Sequence, residues 1–209
     1  MELVNLSVRE FVEITASDAP APGGGSVSAL AGSISAALAQ MVANLTAGRE
    51  KYASAQEQME KILASVPSVQ EKLLLAVDAD SKAFDQYMVA LAMPKESDEE
   101  KQLRLQAMQE GLKEAAKVPL AVAQEAAGLF ALLELALTVG NPNAVTDAMV
   151  GTMMARTSVL GAIFNVRVNL ASIKDAEFVA HMSQKCDELQ AFAMQEETRL
   201  LQKIAISKI

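Results

Sequence analysis

Asp80 sits in the middle of an apolar stripe of helical spacing. Residues three and four positions apart along a helix share a face, and its face carries Leu73, Ala76, Val77, Phe84, Tyr87 and Leu91. A carboxyl group so surrounded loses water, its pKa rises, and it can stay protonated near neutral pH as a general acid. The same placement suits a structural aspartate bonded to a neighbouring helix. Asp78 falls on another face with Glu71, Lys82 and Asp85, where an ordinary Asp78–Lys82 pair is expected, so Asp80 is the better acid of the two.

A second chemical feature is the run Pro20-Ala21-Pro22-Gly23-Gly24-Gly25-Ser26, which leads into an uncharged segment of Ala, Ser and Gly. Prolines stiffen the approach, glycines open backbone angles closed to other residues, and Ser26 is expected to cap the helix that follows. Free N–H groups at such a start can seat an anion or a carbonyl, though a tight turn where backbones pack closely needs the same residues.

A third set lies beyond Gly140. Asp147, Gly151, Met154, Ser158, Gly161, Ala162, Asn165 and Asn169 share one face, with small residues between polar ones. Asp147 and Asn165 are about five turns apart, roughly 27 Å, so one compact pocket in one protomer cannot hold both. They would serve opposite ends of a long ligand or pockets shared between subunits, unless Asp147 only caps its helix.

Several chemistries find little support. The only histidine, His181, lies in a polar C-terminal segment, no His, Cys and Asp grouping has metal-ligand spacing, and no strand precedes the glycines as a dinucleotide site requires. The eleven methionines, Met153 and Met154 among them, read as core filler.

The elements that must position these residues are helices. Hydrophobic residues make up 51% of the 209, aromatics only 4%, and tryptophan is absent, which favours close-packed helices of Ala, Leu, Val and Met over a sandwich of strands. Ser7 to Glu10 and Ser97 to Glu100 read as capping boxes. The first opens a short helix ending before Asp18, and the second opens a charged helix towards Lys117. Between them come a buried helix ending near Gly48, an amphipathic segment from about Ala53 to Ser65 interrupted at Pro67, and a helix from Val69 to Met93. Pro119 is expected to kink or restart its helix, and Gly140-Asn141-Pro142-Asn143 to stop it. Thr146 and Asp147 then cap a helix to about Leu170, and the last runs from Ala176. The expectation is an all-α, single-domain bundle of long antiparallel helices over residues 1–209.

A net charge of −8 argues against a nucleic-acid surface, and any anionic ligand must be met by a few local cations. Cys186, the sole cysteine, excludes an intramolecular disulfide and suits a reducing cytoplasm, and the start Met1-Glu2-Leu3-Val4-Asn5 lacks the pattern of a signal peptide. Between Asp18 and Arg49 no residue is charged, long enough for a bilayer, yet the Ala, Ser and Gly content and the lack of an aromatic belt favour a helix buried in a bundle or against a partner subunit.

Six stretches together carry a resemblance that spans nearly the whole chain. They are Pro20 to Ser26, Met41 to Gly48, Val77 to Phe84, Met93 to Lys95, Gly140 to Asn143 with Asp147, and Phe164 to Leu170. In this order they resemble the cyclodeaminase/cyclohydrolase family, that of the C-terminal domain of formiminotransferase-cyclodeaminase and of stand-alone methenyltetrahydrofolate cyclohydrolases. Thr146 stands where that family often has serine, a mild change.

The resemblance implies dimerisation through long helices, a folate site at or near the interface, and chemistry at the one-carbon unit of tetrahydrofolate with no metal or tightly bound cofactor. In a cyclodeaminase N10 attacks the N5-formimino carbon and ammonia leaves; in a cyclohydrolase water opens the methenyl bridge to 10-formyltetrahydrofolate. The cyclodeaminase is the leading expectation, with the cyclohydrolase or a non-catalytic helical folate-binding dimer as alternatives. The resemblance places the proton donor on Asp80, adds Asp147 as a second catalytic candidate, and makes Gly23, Gly24, Gly25 and Ser26 part of the pocket. Arg49, Lys51, Lys95 and Arg167 are candidates for the carboxylates of a folate tail, mono- or polyglutamylated. Asn165 and Asn169, with Asn141 and Asn143, complete the substrate-binding candidates. A formimino substrate would then come from a separate formiminotransferase.

Overall fold

The computed structural model describes residues 2–203, and all its regular elements are helical. They are α1 (Val8–Thr15), α2 (Gly24–Asn44), α3 (Gln56–Leu91), α4 (Asp98–Val139), α5 (Val145–Leu170) and α6 (Ala176–Lys203), with 3-10 turns at Leu3–Asn5, Glu50–Ala55 and Pro142–Ala144. Both capping boxes form: the Ser7 and Ser97 side chains accept from the Glu10 and Glu100 amides, and each glutamate reaches back to its cap residue.

The small residues of α2 explain the architecture. Ser26, Ser28, Ala29, Gly32, Ser33, Ser35, Ala36 and Ala39 are all buried, so helix backbones close in on several sides. Against α3 the contacts run from Gly25 beside Asp80 to Gly32 beside Leu73, and against α5 from Gly24 beside Asn165 to Gly151 beside Leu38. Rising numbers on α2 meet falling numbers on its neighbours, so both pairs are antiparallel. One core, with Phe130, Met59, Ile62, Leu129, Leu133 and Ile163 at its centre, unites α2 to α6.

The two prolines do not break their helices. Pro67 lies inside α3 and Pro119 inside α4, where each removes one backbone hydrogen bond. Buried neighbours hold the turns in place, Ile62 and Val66 before Pro67, Ala116 and Leu120 around a buried Pro119. Tertiary packing therefore outweighs a local preference against helix. The buried helix ends at Asn44 rather than Gly48, which takes φ +70 in the turn that follows.

Three further expectations are corrected. Gly23 is the N-cap of α2, and Ser26, one turn inside, donates instead to the Val77 carbonyl at 2.8 Å. The cap of α5 is Ala144, because the Pro142–Ala144 turn runs straight into the helix and leaves Thr146 and Asp147 in its first turn. Asp78 does not pair with Lys82; it accepts from the Leu3 and Val4 amides at 2.6 and 3.4 Å, fastening the N-terminal turn to α3.

The helices α2 and α5 also expose apolar residues at helical spacing: Val27, Ile34 and Met41 on α2, and Val150, Met153, Phe164 and Val168 on α5. Val168 is 74% exposed. Residues buried on α5 towards the core, Ala148, Ala155, Ala162 and Val166, lie on its opposite side. Between Val150 and Val168 no charge interrupts this surface, since α2 has none, Arg156 and Arg167 turn to Glu197 and Asp187 of α6, and Asp147 lies before Val150 in the first turn of α5. By length and composition α2, α4 and the Pro142–Leu170 segment are apolar enough to cross a membrane, with mean hydropathies of 1.5, 1.6 and 1.2. Here much of that surface packs against the other helices.

A carboxylate clamp joins α4 to α6. Arg199 donates to both Glu134 oxygens at 2.7 Å, and Lys203 bonds the same carboxylate. These cations hold the Glu134 pKa down to about 2. A lowered folded-state pKa contributes stability above the ordinary carboxylate range, lost as pH falls towards 2. Glu134→Gln should therefore cost on the order of 1 kcal/mol at pH 7 in denaturant titrations, and the difference from wild type should vanish near pH 2.

Candidate active site

The start of α2 meets Asp80 of α3 at one end of the bundle. Gly25 is the reason it can: a Cβ there would fall inside the Asp80 carboxyl group. The carboxyl thus lies against a glycine backbone in the first turn of α2, where N–H groups of Gly24, Gly25 and Ser26 precede the first intrahelical bond, from Val27 N to Gly23 O. Burial pushes the Asp80 pKa upward, and the Ser26 amide that bonds the carboxylate opposes it in part. The balance is a raised pKa, the state in which a carboxyl can hold a proton to give away.

The pocket around it has a volume of about 220 Å³ and draws on four segments: Pro20 to Gly24, Asp80 with Ser81 and Phe84, Ala115 of α4, and Asn165, Val168 and Asn169 of α5. Asn165 donates to the Gly161 carbonyl at 2.9 Å; Asn169 donates to those of Ala115 and Asn165 at 2.9 and 3.0 Å. With both amino groups so tied, the two carboxamide oxygens are left as acceptors for a ligand. Ser26 supports the site from beneath, its hydroxyl bonded to Val77 O and 3.4 Å from that of Ser81.

Of the expected site residues, Gly23, Gly24, Gly25, Ser26, Asp80, Asn165 and Asn169 come together here. Arg167 is on the far side of α5, bonded to Asp187 at 2.7 Å, and Lys95 is exposed in the turn between α3 and α4, outside the pocket lining. Arg49, Lys51, Asn141, Asn143 and Asp147 gather at the opposite end of the bundle. There Asn141 accepts from Tyr52 Oη at 2.9 Å and from Asn143 N at 3.0 Å, and its backbone N–H donates to Thr46 Oγ1 at 2.9 Å. Those bonds fold the turn before α5 onto the end of α2. Ser81, Phe84 and Val168 line the pocket without having been singled out as binding residues; the signal was their position one and four residues after Asp80, and three after Asn165.

Among the described residues no group of three or more His, Cys, Asp or Glu side chains could hold a metal ion. What the arrangement offers is a carboxyl group whose pKa burial raises, backbone donors at a helix start, two amide acceptors and an aromatic wall. That suits a polar, planar, nitrogen-rich substrate that needs a proton delivered.

Comparison with known proteins gives the same direction. A family profile described as Formiminotransferase-cyclodeaminase matches residues 7–188. The chain is 37% identical over 203 residues to formimidoyltransferase-cyclodeaminase of Sus scrofa, covering 97% of this chain but only 37% of that protein. It is 35% identical over 189 residues to methenyltetrahydrofolate cyclohydrolase of Methylorubrum extorquens, covering 90% of this chain and 91% of that one. The crystal structure of formiminotetrahydrofolate cyclodeaminase from Thermotoga maritima superposes with a TM-score of 0.84 at 31% identity, over 95% of this chain and 96% of that chain.

Two substitutions test the geometry. Gly25→Ala should displace the Asp80 carboxyl and lower turnover on the order of 100-fold while far-ultraviolet circular dichroism stays unchanged. Asp80→Asn should raise stability at neutral pH. A raised folded-state carboxyl pKa makes the wild type lose stability as pH climbs through it, so the gain should fade below the ordinary carboxylate range.

Proposed function

The chain belongs to the formiminotransferase-cyclodeaminase family, and from that premise we propose that it is a formimidoyltetrahydrofolate cyclodeaminase with Asp80 as the proton donor. The observation that carries the reading is the desolvated Asp80 carboxyl held against the glycine turn of α2, facing Asn165 and Asn169. The similarly long Thermotoga maritima chain, named a cyclodeaminase, supports it.

In this reaction N10 of 5-formimino-tetrahydrofolate adds to the formimino carbon and its proton passes to the formimino nitrogen, which becomes an amine. That amine takes one further proton, its C–N bond breaks with the electron pair going to nitrogen, and ammonia leaves the methenyl cation behind. Asp80 supplies that proton; burial raises its pKa and so favours the protonated carboxyl. The acceptor oxygens of Asn165 and Asn169 suit the N–H edge of a pterin, and the Gly24 amide at the pocket wall suits its carbonyl. Tetrahydrofolate is substrate and one-carbon carrier in this reading.

Hydrolysis of the methenyl bridge is the second reading, favoured by the Methylorubrum extorquens relative, which matches this chain along nearly its full length and is named for it. The same acid would serve, with water in place of N10. The chain spans little more than a third of the length of the pig relative, so the formiminotransferase step that makes the formimino substrate is assigned to another polypeptide segment, on this chain or a separate one. The setting we propose is cytoplasmic, with Cys186 a buried free thiol.

The protein acts as a homodimer in this reading, joined through the uncharged surface of α2 and α5. Such a surface is costly to leave in water and is compatible with a second copy of itself.

One preparation offered 5-formimino- and 5,10-methenyltetrahydrofolate in turn should accelerate formation of the methenyl chromophore from the first well above the loss of it from the second. The opposite ratio selects the hydrolase, and no turnover of either rejects both. Asp80→Asn should lower turnover by 100-fold or more. Ile34→Glu, outside the pocket, should convert a dimer to a monomer in light scattering coupled to gel filtration.

A further inference from the structure

Asn169 offers its carboxamide oxygen to the Asp80 pocket only if its amino group points the other way. Two carbonyls see to that: Asn165 O, one turn earlier on α5, and Ala115 O on α4 accept from the amino group at 3.0 and 2.9 Å. A carbonyl cannot donate, so the oxygen side of the carboxamide is excluded from both contacts. Ala115 is inside α4, however, where a carbonyl ordinarily takes the N–H four residues on.

Four residues on from Ala115 is Pro119, which has no N–H. The Ala115 carbonyl is thereby left out of the helical ladder, at the residue through which α4 lines the pocket. A carbonyl so freed needs another donor where water is kept from it, and beside a buried proline Asn169 is that donor. Pro67 makes the same gap in α3 and frees the Leu63 carbonyl. There the proline is exposed, and no side chain among the described residues donates to Leu63. The pairing of a gap with a side-chain donor belongs to the proline near the pocket.

We propose that Pro119, which does not itself line the pocket, is a positioning residue for it: lacking an N–H, it leaves the Ala115 carbonyl to Asn169 and so turns the Asn169 carboxamide oxygen towards the ligand. A residue with an N–H at this place draws the Ala115 carbonyl back along the helix axis. The Asn169 amino group then keeps only the Asn165 carbonyl, and its oxygen is no longer held in one direction. That the ligand is a folate rests on the reading above; the hydrogen bonds do not.

The test begins without any folate. Helix preference favours alanine over proline at an interior position, so Pro119→Ala should fold. Solvent exchange of the Asn169 side-chain N–H protons, followed by nuclear magnetic resonance and assigned by their loss in Asn169→Asp, should be about tenfold faster in this variant than in wild type. Pro119→Val, which keeps more of the buried volume and supplies the same N–H, should do likewise. Unchanged exchange in either folded variant overturns the proposal.

Kinetics carry the test to the site. With 5-formimino- or 5,10-methenyltetrahydrofolate, whichever is turned over, Pro119→Ala should raise KM about fivefold, the weight of one neutral hydrogen bond. It should leave kcat within about twofold, because Asp80 and Gly25 are untouched. In an Asn169→Ala background the proline substitution should change KM no further. A fall in kcat at constant KM, or additive effects in the double variant, means that Pro119 acts through packing alone and overturns the proposal. Wild type inactive on both folates, with the exchange contrast still present, removes the folate reading and leaves the orientation of the carboxamide standing.

Discussion

The close approach of α3 to the first turn of α2 is the constraint on which the site depends. A carboxyl group occupies the volume a side chain would take at Gly25, and Gly32, a further two turns along, admits Leu73 and Ser158 in the same way. These contacts bring a polar group within reach of helix-terminal amides while water is kept off most of it. The electrostatics then follow from the packing: desolvation raises the Asp80 pKa, and the Ser26 amide limits the rise. Substituting alanine for glycine in most helices strengthens them, but at this position the helix preference is subordinate to shape.

Much of this was legible in the residues. Period-3.6 patterning located the long helices, serine followed three positions later by glutamate located two helix starts, and the stripe through Leu73, Val77 and Phe84 singled out Asp80. What escaped was tertiary. Pro67 read as an interruption and Pro119 as a kink or restart because the cost of a proline is local, whereas the core contacts that hold their helices together come from elsewhere in the chain. Asp78 looked like half of a surface pair because its partners, the Leu3 and Val4 amides, are more than seventy residues distant. Ser26 looked like a cap because serine is a good one, yet the chain starts its helix three residues earlier and turns that hydroxyl onto α3.

The distribution of charge is as informative as the pocket. Of the ionic contacts between helices, Arg156 with Glu197, Arg167 with Asp187 and Arg199 with Glu134 lie along α6, Lys113 with Asp175 lies at its start, and Lys72 with Glu125 joins α3 to α4. The helices α2 and α5 have no such contacts on their exposed side. The bundle is thus two-sided, with one flank knitted by charge and the other left apolar. A chain with net charge −8 repels like-charged molecules over most of its surface, and the uncharged flank is where that repulsion is weakest.

The pocket is built from residues distant in the chain. Gly25 meets Asp80, Gly24 meets Asn165, and Ala115 meets Asn169, so no two neighbouring helices suffice to make it. An intermediate that has formed α2 and α3 but has not docked α5 has no site, and a ligand in the pocket therefore binds the complete fold and nothing less. Binding energy in such a pocket is spread by mass action over the whole unfolding equilibrium, which makes substrate supply a determinant of how long the chain survives in a cell.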